Sequence, residues 1–130
     1  MPGSNCRHTW LDAAVGTRSE DFGELAAQLG GVERTDGPRY STFRVGGHTF
    51  AYLWEPTQTV GLKQTLTEQL ALVAERPDVF EVQFTAGQFG WVVVNLAGVD
   101  RLELAELTYE AWRLTAPVRL VEAGQGRLPD

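Results

Sequence analysis

The chain has 130 residues, the size of one domain, and its 43% apolar and 22% charged residues are typical of a folded globular protein. One cysteine excludes an internal disulfide and fits a reducing compartment. The net charge of −6, from 17 acids and 11 bases, opposes nucleic-acid binding at long range. The N-terminal segment lacks the apolar region of a secretory signal, and the most apolar stretch, WVVVNLAGV, is too short to cross a bilayer. We therefore expect a cytoplasmic protein without membrane contact.

The first 18 residues show no hydrophobic periodicity, and we expect them to form a loosely ordered arm. Ser19 then has the character of a helix N-cap. Apolar residues follow at helical spacing and a Gly-Gly pair ends the helix; they are Phe22, Leu25, Ala26 and Leu29. Residues 19–123 are predicted to form one domain, and residues 124–130 a C-terminal tail.

The stretch YSTFRVGGHTFAYLW, residues 40–54, predicts two strands joined by a two-residue Gly-Gly turn. Strict alternation from that turn pairs Phe43 with Phe50 and Ser41 with Tyr52. The alternation also assigns one apolar face, which we expect to be buried; it holds Val45, Phe43, Phe50, Tyr52 and Trp54. Only the turn and the opposite face would then be left to meet a partner.

Three more strands and two more helices are predicted downstream. QTVGLKQ, VFEVQF and WVVVNL have the composition of strands, and the last of them is apolar enough to be central in the sheet. Capping boxes start the two helices; they are Thr65 with Glu68 and Asp100 with Glu103. In the first of these helices, we expect Leu66, Leu70 and Val73 to face the core. The second ends before Pro117.

These elements predict an α+β protein, with an antiparallel sheet of about five strands and with N- and C-terminal helices packed on one face. We expect Phe43, Phe50 and Trp91 to lie beneath that helical layer.

The sequence contains no recognisable motif for catalysis, metal binding or phosphate binding. The spacing of one cysteine and two histidines fits no zinc site, and no G-x-S-x-G elbow is present. Cys6 sits beside Arg7 and His8, but in the predicted arm, where no scaffold would hold a nucleophile. The glycine-rich turns open no helix, as a nucleotide-binding loop must. We therefore expect no catalytic residues, no metal site, no cofactor and no enzymatic activity.

Four segments in this order resemble the MmcQ/YjbR family of small bacterial proteins: LGGVE (29–33), FRVGGHTFAYL (43–53), GWVVVNL (90–96) and LAELTYEAWRLTAP (104–117). The likeness covers about residues 19 to 122. It implies a CyaY-like fold, an antiparallel sheet covered on one face by helices. It also implies a double-wing DNA-binding motif, whose wings here would be the hairpins that turn at Gly46-Gly47 and near residues 87–90.

The basic residues near the first hairpin are the candidate nucleic-acid contacts: Arg39, Arg44, His48 and Lys63. Arg44 and Lys63 would share a face if the third strand pairs beside the hairpin; scattered solubilising charge is the other interpretation. The alternative function is a protein-interaction or weak metal-binding module of the frataxin kind, which would use acidic helix faces. Glu20, Asp21 and Glu24 form one such face. DNA and protein thus remain the two candidate partners, and the oligomeric state stays open.

Overall fold

A computed structural model describes residues 16–124 and 128–130. Six antiparallel strands form one sheet in the order β1-β2-β3-β4-β6-β5. The strands are β1 (Val32–Asp36), β2 (Ser41–Val45), β3 (His48–Trp54), β4 (Thr59–Thr65), β5 (Phe80–Ala86) and β6 (Phe89–Asn95). The predicted α+β fold class is therefore confirmed, with six strands rather than about five. Cys6 and all of the predicted arm except residues 16–18 lie outside the described residues.

The additional strand is β1, which has no apolar alternation by which a sequence pattern could reveal it. It lies at the edge of the sheet, where side-chain contacts hold it in addition to its backbone hydrogen bonds with β2. Arg34 lies over the Phe43 ring, 5.2 Å from its centroid, and its Nε donates to Asp36 at 2.7 Å. The Ser41 hydroxyl of β2 donates to the same carboxylate at 2.7 Å, and this bond, together with Arg34, lowers the pKa of Asp36.

The helices are α1 (Ser19–Ala27), α2 (Leu66–Glu75), α3 (Arg101–Arg113) and α4 (Val118–Glu122), with a 3₁₀ turn at Leu96–Gly98. Both predicted capping boxes supply caps, since Thr65 and Asp100 accept from the backbone N–H groups of Glu68 and Glu103. The N-cap predicted for the first helix is one residue off, because Ser19 is the first helical residue and Arg18 is the N-cap.

The helices cover one face of the sheet, which we call the inner face; the opposite one is the outer face. Phe22 of α1 meets Phe43 edge-on, with ring centroids 4.9 Å apart, and Phe50 is fully buried nearby. The indole N–H of Trp112 in α3 donates to the Gly30 carbonyl at 2.8 Å. These contacts join the first and last long helices over the β2–β3 hairpin.

The hairpin register departs from strict alternation after its first two pairs. Val45 pairs with His48 as predicted, but Phe50 is an extra residue in β3, so that Phe43 pairs with Ala51 and Ser41 with Leu53. This β-bulge lets Phe50 and Ala51 both face the core, and it reverses the side of every later β3 residue. Tyr52 and Trp54 were predicted to be buried with the core. That prediction is wrong: both lie on the outer face.

Trp91 also lies on the outer face rather than beneath the helices. Its neighbours Gly90 and Val92 point to the inner face, where a Cβ on Gly90 would lie 2.6–2.7 Å from the Gln69 side chain of α2. The prediction for α2 was wrong for Leu66 and Leu70, which are exposed, but Val73 packs against the core as predicted. Gln69 and Leu72 are its buried residues, while Leu70 is 58% exposed.

Gln69 links α2 to two strands, because its amide donates to the carbonyls of Phe84 at 3.1 Å and Trp91 at 3.0 Å. We expect Gly90→Ala to lower the free energy of unfolding by about 1–3 kcal/mol, because the new methyl group must displace this buried amide. Urea unfolding measures the loss.

The Gln69→Ala background provides the control for that experiment. With the amide gone, Gly90→Ala should cost measurably less, so the double variant should be more stable than the sum of the single losses predicts. Strict additivity would show that Gln69 and Gly90 do not interact in this way.

Candidate functional site

Five aromatic side chains form a continuous row across the outer face, which we call the aromatic row: Tyr40, Trp54, Tyr52, Trp91 and Phe84. In that order, successive ring centroids are 6.0, 6.1, 5.4 and 5.1 Å apart. Tyr40 at one end is 43% exposed, Phe84 at the other is 39% exposed, and Trp91 between them is only 6% exposed. The row thus has a buried centre and accessible ends.

A glycine allows the row to cross the sheet. Tyr52 belongs to β3 and Trp91 to β6, and β4 runs between these strands. Gly61 of β4 pairs with Tyr52 and has no side chain to separate the two rings. The surface of Gly61 is instead covered by Gln83, whose Oε1 would lie 2.2 Å from a Cβ at that position.

A second bulge places Gln83 there. Val82 pairs with Val92 and Phe84 with Trp91, so Gln83 is an extra residue in β5. Gln83 and Phe84 consequently both lie on the outer face. The Oε1 of Gln83 is buried and has no hydrogen-bond partner among the described residues. The two bulges, at Phe50 and Gln83, together create the row.

Lys63 and Arg44 flank the row on the same outer face. Lys63 pairs with Trp91, and its Nζ lies 4.1 Å from the centroid of the Phe89 ring. Partial burial against these rings lowers the pKa of Lys63. Arg44 is exposed on β2, two strands away from Lys63, which corresponds to about 10 Å.

Arg39 and His48 occupy opposite ends of the hairpin strands. Arg39 lies in the β1–β2 loop beside Tyr40, at the exposed end of the aromatic row. His48 is exposed at the Gly46-Gly47 turn. Of the four candidate contacts, the fold therefore brings Arg44 and Lys63 to one region, places Arg39 at the other end of the row, and leaves His48 at the turn.

The two hairpin turns lie at the same end of the sheet, because β2 and β5 run in the same direction. Their surroundings differ. A Cβ on Gly46 would lie 2.9 Å from the Pro117 ring, so this turn packs against the segment before α4. A Cβ on Gly87 would meet nothing within 4 Å, so the β5–β6 turn is open.

Ion pairing divides the basic residues into two groups. Five arginines on the helical side and sheet edge have a carboxylate within 3.7 Å: Arg18, Arg34, Arg76, Arg101 and Arg113. No such carboxylate lies beside four other bases in the part of the chain that the structure describes: Arg39, Arg44, Lys63 and Arg119. Arg119 belongs to α4. The remaining three lie on the outer face or at its margin.

The acidic helix faces are largely neutralised by these arginines. Arg101 binds both Asp21 and Glu24, at 2.7 and 3.1 Å. A cleft of about 390 Å³ between α2 and α3 is lined by four glutamates, Glu68, Glu103, Glu106 and Glu110. Two of them are bound, Glu103 by Arg76 and Glu110 by Arg113. Within residues 16–124 and 128–130, no three His, Cys, Asp or Glu side chains are placed to hold a metal ion.

The YjbR family model matches residues 27–114. The chain belongs to the YjbR family. This YjbR domain is also similar in fold to Deinococcus radiodurans protein DR2400, whose family-model domain is DUF419, with a TM-score of 0.67. Identity to that structure is 19%, over 78% of this chain and 79% of the other. A search of curated proteins gives no match. The family resemblance predicted from the four sequence segments is therefore confirmed.

No helix of the described residues is both long and apolar enough to span a bilayer.

The aromatic row is the feature of this YjbR domain that sequence reasoning missed. Its signals were present but ambiguous. Phe50 and Ala51 are adjacent apolar residues in a strand, and a glycine interrupts β4 at Gly61. Either pattern is typical of a bulge or a close approach, but neither indicates which residues change sides.

The partial burial of Lys63 predicts a pH dependence of stability. Because its pKa is lower in the folded protein than the ordinary value of 10.5, the unfolded chain binds more protons between those two pKa values. Relative to Lys63→Gln, the wild type should therefore gain stability as the pH rises from neutral to above 10.5. Urea unfolding of both proteins across this range measures the difference between their free energies of unfolding. The titration of the tyrosines is common to both proteins and therefore cancels in this difference. A difference that is independent of pH, or that falls, would contradict the desolvation of Lys63.

Proposed function

We propose that this YjbR-family protein is a non-enzymatic module that binds DNA weakly and without sequence preference through the outer face of its sheet. In this proposal, Arg44 and Lys63 neutralise phosphates beside the aromatic row. Arg39 extends the contact at the Tyr40 end, and His48 adds a contact at the turn of the first hairpin. The turns of the two hairpins lie at one end of the sheet and mark the limit of this surface there.

One observation carries the proposal: the basic residues on this side of the molecule have no acidic partner among the described residues. An arginine beside a carboxylate attracts a phosphate less strongly, because the negative charge of the carboxylate offsets that of the guanidinium. Arg44 and Lys63 have no such carboxylate within ion-pair distance among the described residues, and Lys63 is already partly desolvated by Phe89. An incoming phosphate therefore meets two bases that are available for charge-assisted hydrogen bonds.

The net charge of −6 is compatible with this site because the acids are unevenly distributed. The acidic residues of α1, α2 and α3 lie on the helical side. On the outer face, Glu33 and Glu81 accompany Arg44 and Lys63, so this face is nearly neutral. Long-range repulsion from the helical side still acts on a polyanion, and we therefore expect weak binding that is favoured at low salt.

The non-enzymatic part of the proposal is supported by the surroundings of the titratable groups. His48 is the one histidine within the described residues, and it is exposed at a turn. General-base catalysis requires a base held in hydrogen-bond reach of a nucleophile. The buried polar side chains Gln64, Gln69 and Thr108 instead donate to backbone carbonyls and so hold the fold together.

The alternative module, which would use acidic helix faces, has less support. Asp21 and Glu24 are occupied by Arg101, and the cleft between α2 and α3 has half of its glutamates bound by arginine. We therefore do not propose a cation site there.

Fluorescence anisotropy with labelled single-stranded and duplex DNA at low salt tests the proposal. We expect micromolar affinity for at least one form, and a linear fall of log K with log salt concentration. Arg44→Gln and Lys63→Gln should each weaken binding about threefold to tenfold and reduce the salt slope by about 0.7 to 0.9, the loss of one phosphate contact.

Arg119→Gln is the matched control, since it removes the same charge from a basic residue of α4 that also has no acidic partner among the described residues. It should change the salt slope much less than the outer-face variants do. The proposal fails if neither form of DNA binds at micromolar protein, or if Arg119→Gln weakens binding as much as Lys63→Gln does.

A further inference from the structure

We infer that the outer face takes single-stranded DNA, whose bases stack on the aromatic row while Lys63, Arg44 and Arg39 contact the phosphates. This inference rests on the proposed function and specifies the form of its ligand. Base-on-ring stacking is tolerant of sequence, since every base has an aromatic face.

The hairpin turns are poorly equipped for a duplex. Reading or gripping duplex DNA requires cationic or polar groups that project into a groove or onto two backbones. The open β5–β6 turn consists of Gly87 and Gln88 and has no basic residue. The Gly46-Gly47 turn has only His48 and is packed against Pro117 on one side. The cations lie instead on the strands or at the far end of the row.

The aromatic row offers a platform that a duplex could not use. In a duplex, the faces of the bases are covered by their neighbours in the stack, whereas a single strand can turn its bases outward. Tyr40 and Phe84 are the most exposed rings, and both contact the partly or fully buried rings between them. Their positions are thus held by packing before a ligand arrives, which lowers the entropy cost of stacking.

Basic residues without an acidic partner among the described residues lie at the Tyr40 end of the row and along its flank. Arg39 adjoins Tyr40, and Lys63 adjoins Trp91 in the ladder between β4 and β6. A strand laid along the row would meet Arg39 at the Tyr40 end, and Lys63 and Arg44 on its flank. This charge arrangement favours an anionic chain over an uncharged peptide, which would leave Lys63 desolvated and without a partner.

The apolar surface favours DNA over RNA. A ribose 2′-hydroxyl placed against aromatic rings must lose water without gaining a hydrogen bond, whereas deoxyribose carries no such group. The methyl group of thymine adds apolar contact with the rings. An oligothymidylate is therefore the most suitable probe.

The experiment compares a labelled oligothymidylate of about 15 nucleotides, long enough to cover a site of this kind, with its duplex and with oligouridylate. We expect the wild type to bind oligothymidylate at least tenfold more tightly than either competitor. Phe84→Leu and Tyr40→Leu keep much of the apolar surface but remove the ring, and should each lower this affinity about fivefold to a hundredfold. Their salt slopes and duplex affinities should stay unchanged.

Leu70→Ala is the matched control, because it shortens an exposed apolar residue on α2, away from the outer face. Its affinity should equal that of the wild type. Quenching of tryptophan fluorescence by oligothymidylate provides a second readout, and Trp54→Phe should reduce it. Thermal unfolding of each variant verifies that the fold is retained.

The outcomes separate this inference from the function on which it rests. If duplex binds as tightly as single strand, or if the leucine variants bind normally while Lys63→Gln does not, stacking is overturned and DNA binding through the outer face stands. Tighter binding of oligouridylate overturns the assignment to DNA. If no nucleic acid binds, both proposals fail, and the aromatic row is to be tested as a surface for a protein partner.

Discussion

The β-bulge at Phe50 is the constraint on which the candidate site depends. By adding one residue to β3, it lets Phe50 and Ala51 both enter the core and turns Tyr52 and Trp54 outward. A regular strand would have turned those two rings towards the helices, and the row would have been interrupted between Tyr40 and Trp91. The core and the candidate site are therefore two consequences of one irregularity in a single hairpin.

The bulge at Gln83 has the same effect at the other side of the sheet, since it brings Gln83 and Phe84 to the outer face together. Gly61 completes the arrangement by leaving room for Tyr52 and Trp91 to meet across β4. From the inner face, the Gln69 amide supports the row by donating to the backbone carbonyls of Phe84 and Trp91. The row is thus supported from both sides of the sheet.

The distribution of charge follows the same division of the molecule. Most acidic residues and most arginines lie on the helical side or the sheet edge and form ion pairs there, as Arg101 does with Asp21 and Glu24. The outer face keeps its few bases unbound within the described part of the chain. An acidic protein can in this way present a locally neutral surface with available cations, which net charge alone would not indicate.

Sequence patterns predict much of the fold: the long helices with their caps at Thr65 and Asp100, the two hairpins, the fold class and the family. The helices and hairpins depend on local patterns such as capping boxes, a Gly-Gly turn and apolar spacing, and the family resemblance depends on four ordered segments of 5 to 14 residues. Strand β1 was not predicted because its pairing with β2, and not an apolar pattern, makes it a strand. Tertiary packing determines which face holds Tyr52, Trp54 and Trp91, and which basic residues lack an acidic partner within the described part of the chain. One extra residue in a ladder reverses every side chain after it, and an ion pair such as Arg101 with Asp21 joins residues that are 80 positions apart, so neither is visible in a local pattern.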